Sequence, residues 1–384
     1  MRTIVVISLV LVMAGGFLLL KGCMLEKVIP VEAHSDAEAS MVSPVGFIKG
    51  FSWGWMGSRG QYEGPGPKES MQKLAATNAN WICLAFGAEM ETFDSPNILW
   101  SDANPAMVSD TEIRRAIQLA RDNGLKVLLK PVVNVRDGTW RAWIKFENED
   151  GTRDMEAWKV WWQDFRAMLI HYAKIAEETN CEMLCLGCEM EATEEDEDQW
   201  RSLIKDIRKI YRGTLTYNTN WGREDDVQWW DAVDVISISA YYPVGSDDPN
   251  KWIEKGLHTV PLANTTVEAM KKRWQPHKEH LASVSEKNNR PILFIELGVC
   301  SAKGFSAAPW THQLPDAVYD GQEQKRYYQA TMEVFWNEPW FIGFTWWAWD
   351  PNLYTLQQAQ SDTSFCVYGK PAEELLTEWY AKPK

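Results

Sequence analysis

Two glutamates have neighbours that suggest chemistry. Glu189 closes the run "LCLGCE" (Leu184–Glu189), and Glu296 sits near the end of "PILFIEL" (Pro291–Leu297). A lone acid at a strand end is most often a cap or half of an ion pair. A facing pair can do more: one carboxyl protonates a leaving oxygen while the other attacks an anomeric carbon or activates water, as in glycoside hydrolysis. The other apolar runs end on Trp53, Lys130, Asn134, Asn218, Trp221, Tyr241, Trp346 and Trp347, with Glu89, Glu91 and Asp350 close by. Apart from Lys130, this set consists of acids, amides and aromatics. It contains no histidine, the usual residue for metal or acyl-transfer chemistry.

The elements that must position these residues alternate along the chain. Eight apolar or β-branched runs read as strands: Phe47–Trp53, Trp81–Gly87, Leu125–Val133, Glu182–Glu189, Thr214–Asn220, Val233–Tyr242, Pro291–Leu297 and Phe341–Trp349. Amphipathic segments lie between them. Ser109–Gly124 opens on a Ser-Asp cap, carries Ile113, Ala116, Ile117 and Ala120 on one face, and stops at glycine. Gly321–Trp336 and Pro371–Tyr380 are built alike. Runs that are apolar throughout suit strands buried on both faces of a parallel sheet. Eight strand–helix units predict an α/β chain folded as a single (β/α)8 TIM barrel, with function at the C-terminal strand ends. An open doubly wound sheet is the competing fold, but "GWMGSRGQ" after the first strand lacks the dinucleotide glycine spacing. In a barrel, strands four and seven lie on roughly opposite sides, so Glu189 and Glu296 can approach one bond from both sides.

Composition narrows the partner. The 384-residue chain carries a net charge of −14, which argues against nucleic acid and anionic polymers and suits a neutral ligand. It holds 22 tryptophans, a surplus that favours stacking on flat apolar faces such as sugar rings. Of seven cysteines, Cys83, Cys181, Cys185, Cys188 and Cys300 lie in apolar runs and read as buried, not as a metal nest. His277 and His280, in "HKEH", lie on an amphipathic helix and read as its solvated face. No metal or cofactor is called for, and a monomer is expected.

At the N-terminus, Arg2 precedes an uncharged apolar run, Ile4–Leu20. Residues 1–23 therefore read as a signal peptide or membrane anchor. Gly22-Cys23 resembles the end of a lipoprotein signal that would lipidate Cys23, although Lys21 departs from that pattern. Residues 24–44 read as a polar tether and 45–384 as the barrel. Every version of this segment places the barrel outside the cytoplasm.

The ordered segments "GFSWG", "LLKPVVNV", "LGCE", "YNTNWG", "ISISAYYP", "ILFIELG", "GFTWWAWDP" and "YGKPAEELL" resemble the retaining TIM-barrel glycosidases, and within them glycoside hydrolase family 113, the β-mannanase type. The resemblance implies Glu189 as acid/base and Glu296 as nucleophile, acting by double displacement on β-1,4-mannosidic bonds of mannan-type polysaccharide. It implies that Tyr241 hydrogen-bonds the nucleophile and that Trp346 or Trp347 floors the subsite of the attacked sugar. Trp53, Lys130, Asn134, Asn218 and Trp221 become candidate sugar contacts. Most of the wider clan carries Asn before the acid/base; here Cys188 stands there, and Asn134 or Asn218 must supply the usual contact to the sugar 2-hydroxyl. The acid/base role calls for a raised pKa at Glu189. Exo-β-mannosidase action, another β-glycanase specificity and an inactive surface glycan-binding protein are the alternatives. The long segment Val244–Thr266 could close the cleft and decide between endo and exo action.

Overall fold

The computed structural model describes residues 43–312 and 314–384. The expected signal or anchor segment and nearly all of the tether lie outside the described residues. Eight strands, β1 Ile48–Trp53, β2 Trp81–Met90, β3 Lys126–Val135, β4 Met183–Cys188, β5 Thr214–Asn220, β6 Val235–Ser239, β7 Ile292–Leu297 and β8 Phe341–Trp349, pair in chain order. Every pairing is parallel, and β8 returns to β1 to close the barrel. The helices are α1 Pro65–Ala75, α2 Asp110–Asp122, α3 Met155–Glu178, α4 Glu197–Ile207, α5 Pro249–Lys255, α6 Val267–Asn288, α7 Gly321–Phe335, α8 Leu356–Ala359 and α9 Pro371–Tyr380.

Local chemistry accounts for these elements. Ser109 and Glu112 form a reciprocal capping box at the start of α2, and Ile113, Ala116, Ile117 and Ala120 are buried along one face. Such a cap contributes about 0.5–2 kcal/mol. Inside the barrel, away from the mouth, Ile48, Trp81, Cys83, Leu128, Met183, Cys185, Val235, Leu293, Ile295 and Ile342 form one apolar plug. A second, larger cluster joins the outer strand faces to the helices. Cys83 and Cys185 are thus filler, and all six cysteines of the described residues are free and buried.

Three details differ from expectation. β6 ends at Ser239, so Ala240–Tyr242 leave the sheet and Tyr241 turns towards the mouth. β2 and β3 run on to Met90 and Val135 as a ten-residue register-matched pair. The segment Val244–Thr266 holds α5 and two short 3-10 turns and is tied down by Arg273, whose Nη1 donates to Val244 O at 3.1 Å and Asn264 O at 2.8 Å. None of its residues lines the cleft at the barrel mouth.

Candidate active site

Each acid is presented at the mouth where its strand loses regular pairing. On β4, Cys185 lies opposite Thr216 but Cys188 lies opposite Asn218, so β4 carries one extra residue there. The bulge brings Cys188 into the barrel, where its Sγ donates to Glu296 Oε1 at 3.6 Å. Glu189 then leaves the strand at φ 53°, a left-handed conformation costing a non-glycine residue roughly 1–3 kcal/mol. Its N–H donates to Asn218 O at 2.8 Å. On β7, Glu296 pairs with Ser239 just after a register shift, and its carbonyl accepts from Ala240 N at 2.6 Å. Both carboxyls line one cleft of about 890 Å³.

Each carboxylate has its own cation. Lys130, on β3 and fully buried, ion-pairs with Glu296 Oε1 from within the barrel. Burial opposes its charge, but the Glu296 carboxylate paired with the ammonium more than offsets that and holds its pKa above the ordinary lysine value. Tyr241 OH donates to the other oxygen, Glu296 Oε2, at 3.3 Å. Burial, reinforced by the Glu296 carboxylate, pushes the Tyr241 phenol far up, so it is a neutral donor. Burial does the same to the Cys188 thiol against the pull of Lys130.

Glu189 Oε2 accepts from Arg141 Nη1 at 2.7 Å and Trp140 Nε1 at 3.0 Å. Burial pushes the Glu189 pKa up, but the Arg141 guanidinium outweighs it, helped by Trp140, Ser239 and Lys130; the net direction is below the ordinary carboxylate value. The raised pKa expected from the sequence is therefore corrected: a fixed guanidinium stands in place of the apolar wall that would have raised it.

Two acids across a tryptophan-lined cleft, each charge-compensated, fit hydrolysis of a glycosidic bond, and the sequence agrees: the signature of Glycoside Hydrolase Family 113 matches residues 51–370. The chain belongs to glycoside hydrolase family 113. It is 38% identical to a family 113 β-mannanase from Alicyclobacillus acidocaldarius, solved in complex with ManMIm; the match covers 89% of this chain and 99% of that one, with a TM-score of 0.77. A second family 113 enzyme, a β-1,4-mannanase, is 35% identical over 88% of this chain and 100% of its own, with a TM-score of 0.74. A β-glucuronidase from Faecalibacterium prausnitzii, 13% identical with a TM-score of 0.54, shares the fold alone. A comparison with curated protein sequences finds no match.

In this family 113 glycoside hydrolase the cleft gathers Glu189, Glu296, Asn134, Trp221, Tyr241 and Trp347 from the expected set. Four others lie elsewhere. Trp53 is fully buried on the outer barrel face, against Tyr62, with Nε1 donating to Ser70 Oγ at 3.1 Å. Trp346 is also fully buried, stacked on Tyr328 at 4.2 Å. Lys130 serves Glu296 and has no exposed surface for a sugar. Asn218 is buried beneath the mouth, donating to Cys188 Sγ at 3.2 Å and Ser239 Oγ at 3.1 Å. Of the two amides considered for the 2-hydroxyl contact, only Asn134 lines the cleft.

Glu191 also lines the cleft and accepts from Asn220 Nδ2 at 3.1 Å. His277 is not simply solvated: it packs at 4.3 Å on the Tyr242 ring, while His280 is exposed. The tryptophan surplus serves mainly the core. Trp55, Trp140, Trp143, Trp221, Trp310 and Trp347 line the cleft, six of the 22. Trp221 and Trp310 stack at 5.4 Å and 21°, and Trp55 meets Trp347 edge-on at 5.5 Å. Trp140, Arg141, Trp143, Trp310, His312 and Phe365 were missed because they sit in loops, where strand-end reading does not reach. The clustering of "TWRAW" (Thr139–Trp143) after β3 was the available signal.

Proposed function

We propose that the enzyme is a retaining endo-β-1,4-mannanase acting as a monomer on mannan-type polysaccharide. One observation carries the reading: Glu189 and Glu296 converge from β4 and β7 on one tryptophan-lined cleft, in a chain whose 35–38% identical relatives are β-mannanases. In the first step Glu296 attacks the anomeric carbon. The bond to the leaving oxygen breaks, and that oxygen takes the proton from Glu189. In the second step Glu189 removes a proton from water, the water oxygen attacks the same carbon, and Glu296 is released as carboxylate. Retention calls for carboxyls about 5–5.5 Å apart. Close approach is supported by Cys188, the residue before Glu189, which donates to Glu296. Lys130, Cys188 and Tyr241 orient the nucleophile, and Trp347 offers a flat face beside it. Trp221 and Trp310 form a second platform for a polymer running through the cleft. The N-terminal segment supports an extracytoplasmic enzyme, tethered through residues 24–44 and lipidated at Cys23.

Incubation with mannan, glucomannan, xylan and cellulose, followed by sizing of the products, tests the reading. Internal cleavage of mannan with the β-anomer released first is expected. Single mannose units released from chain ends would point to an exo-β-mannosidase, and binding without products to a glycan-binding protein. Glu296→Ala should abolish turnover on every substrate. Glu189→Ala should spare activated aryl mannosides, whose leaving group needs little protonation; full activity of Glu296→Ala would sink the assignment.

A further inference from the structure

Arg141 belongs to none of the strand ends, yet it makes the most direct contact with Glu189. It opens a single 3-10 turn, Arg141–Trp143, in the loop after β3. Each guanidinium nitrogen has its own acceptor. Nε donates to Val133 O at 3.1 Å, Nη2 to Asn134 Oδ1 at 2.7 Å and Nη1 to Glu189 Oε2 at 2.7 Å. The side chain is 14% exposed and lies 5.7 Å from the Trp55 ring centroid. Two of its three anchors are on β3 itself, so it is a fixed strut and not a mobile surface arginine. A planar fork bonded at all three positions loses little further freedom and holds its partner in one orientation.

We propose that Arg141 is a positioning residue for Glu189: it ties Oε2 to the β3 backbone and leaves Oε1 to exchange the proton. The inference rests on the reading of Glu189 as acid/base. Trp140 shares the work, because its Nε1 donates to the same oxygen. The burial-opposing direction of the Glu189 pKa agrees with this geometry. The charged or titratable groups around Glu189 come from every side of the mouth. They are Lys130 on β3, Cys188 on β4, Glu191 after β4, Tyr241 after β6, Glu296 on β7 and His312 in the loop after β7. Lys130 is already committed to Glu296, so Arg141 is the cation assigned to Glu189.

An arginine beside a carboxylate lowers its pKa by about 1–3 units. Glycoside cleavage needs protonated Glu189, so the alkaline limb of kcat/KM on mannan oligosaccharides reports that group. In Arg141→Met the limb should move up by about 1–3 pH units, while Arg141→Lys, which keeps the charge, should move it less. A purely structural role would lower kcat/KM at every pH and leave the limb in place, and that result overturns the proposal. The carboxyl carbon of Glu189 can also be titrated by 13C NMR in the unsubstituted enzyme, which covers the case of a variant that does not fold. A midpoint below the ordinary glutamate value is expected; one at or above it overturns the proposal. That titration needs no turnover, so it is separable from failure of the mannanase reading, which the product analysis decides.

Discussion

Replacing Lys130 by Met removes a buried cation while keeping most of the side-chain volume. Lys130 is fully buried and the Glu296 side chain only 10% exposed. In the variant the Glu296 carboxylate faces two neutral donors, Cys188 and Tyr241, because Arg141 is held on Glu189. If Glu296 stayed charged, breaking the buried pair would cost about 3–5 kcal/mol. The alternative is to take up a proton. A glutamate in an unfolded chain titrates near 4.3 and each pH unit is worth about 1.36 kcal/mol, so neutralising it costs about 3.7 kcal/mol at pH 7 and about 1 kcal/mol at pH 5. The protonated route therefore caps the loss. The sign follows from proton counting: above about pH 4.3 a folded variant that keeps the proton holds more protons than its unfolded chain, so its stability falls as pH rises. Urea unfolding should show a deficit against the wild type of about 1 kcal/mol at pH 5, growing to about 3–4 kcal/mol at pH 7. Adding Glu296→Gln should close most of the pH 7 deficit, since a neutral amide needs no counter-ion. A deficit equal at both pH values and indifferent to the second substitution would refute the reasoning, and would make Lys130 a packing residue.

Gly298→Ala tests how the floor of the cleft is held. A Cβ there would lie 2.1 Å from the Trp347 carbonyl oxygen, which is backbone and cannot swing away. Overpacking of this kind costs about 1–3 kcal/mol, and kcat/KM should fall with the melting temperature as Trp347 is displaced; an unchanged enzyme would show that β8 yields there without consequence. Cys23→Ala should move the enzyme from the membrane to the soluble fraction, and retention in the membrane would favour an uncleaved apolar anchor over a lipid at Cys23.

How much of this was legible depended on whether strand alternation held. Glu189 and Glu296 were readable because each ends an apolar run and the runs can be counted round a barrel. Lys130 was readable in kind but misassigned in role. It shares parity with Leu128, a plug residue, and so points into the barrel one layer above it. The same rule sends Trp53, offset by an odd number from the plug residue Ile48, to the helix side. Trp346 could not be placed this way. Ile292 pairs with Phe341 but Phe294 pairs with Phe344, so β8 carries an extra residue. Gly343 sits there at φ 129°, and a Cβ would meet the Ile48 carbonyl oxygen at 2.1 Å. Ile342 faces in, yet Phe344 and Trp346 face out, which alternation alone would contradict. The β4 bulge before Cys188 has the same effect: no pattern in "LCLGCE" marks the extra residue that brings the thiol onto Glu296. Arg141 was invisible for another reason, since its loop has no periodicity and its partner lies 48 residues away.

The pairing of one cation with each acid has a consequence for the catalytic cycle. Lys130 and Arg141 balance Glu296 and Glu189. Esterification of Glu296 in the proposed first step removes one negative charge and leaves both cations, with Glu189 still ionised beside Arg141. A group beside uncompensated positive charge is driven towards its ionised form. The state in which Glu189 must accept a proton from water is thus the state in which the site most strongly keeps it deprotonated. The first step carries the opposite demand, a proton on a carboxyl that Arg141 holds charged. The electrostatics therefore favour the hydrolytic half of the cycle, and cleavage of unactivated mannan should limit turnover on the alkaline side.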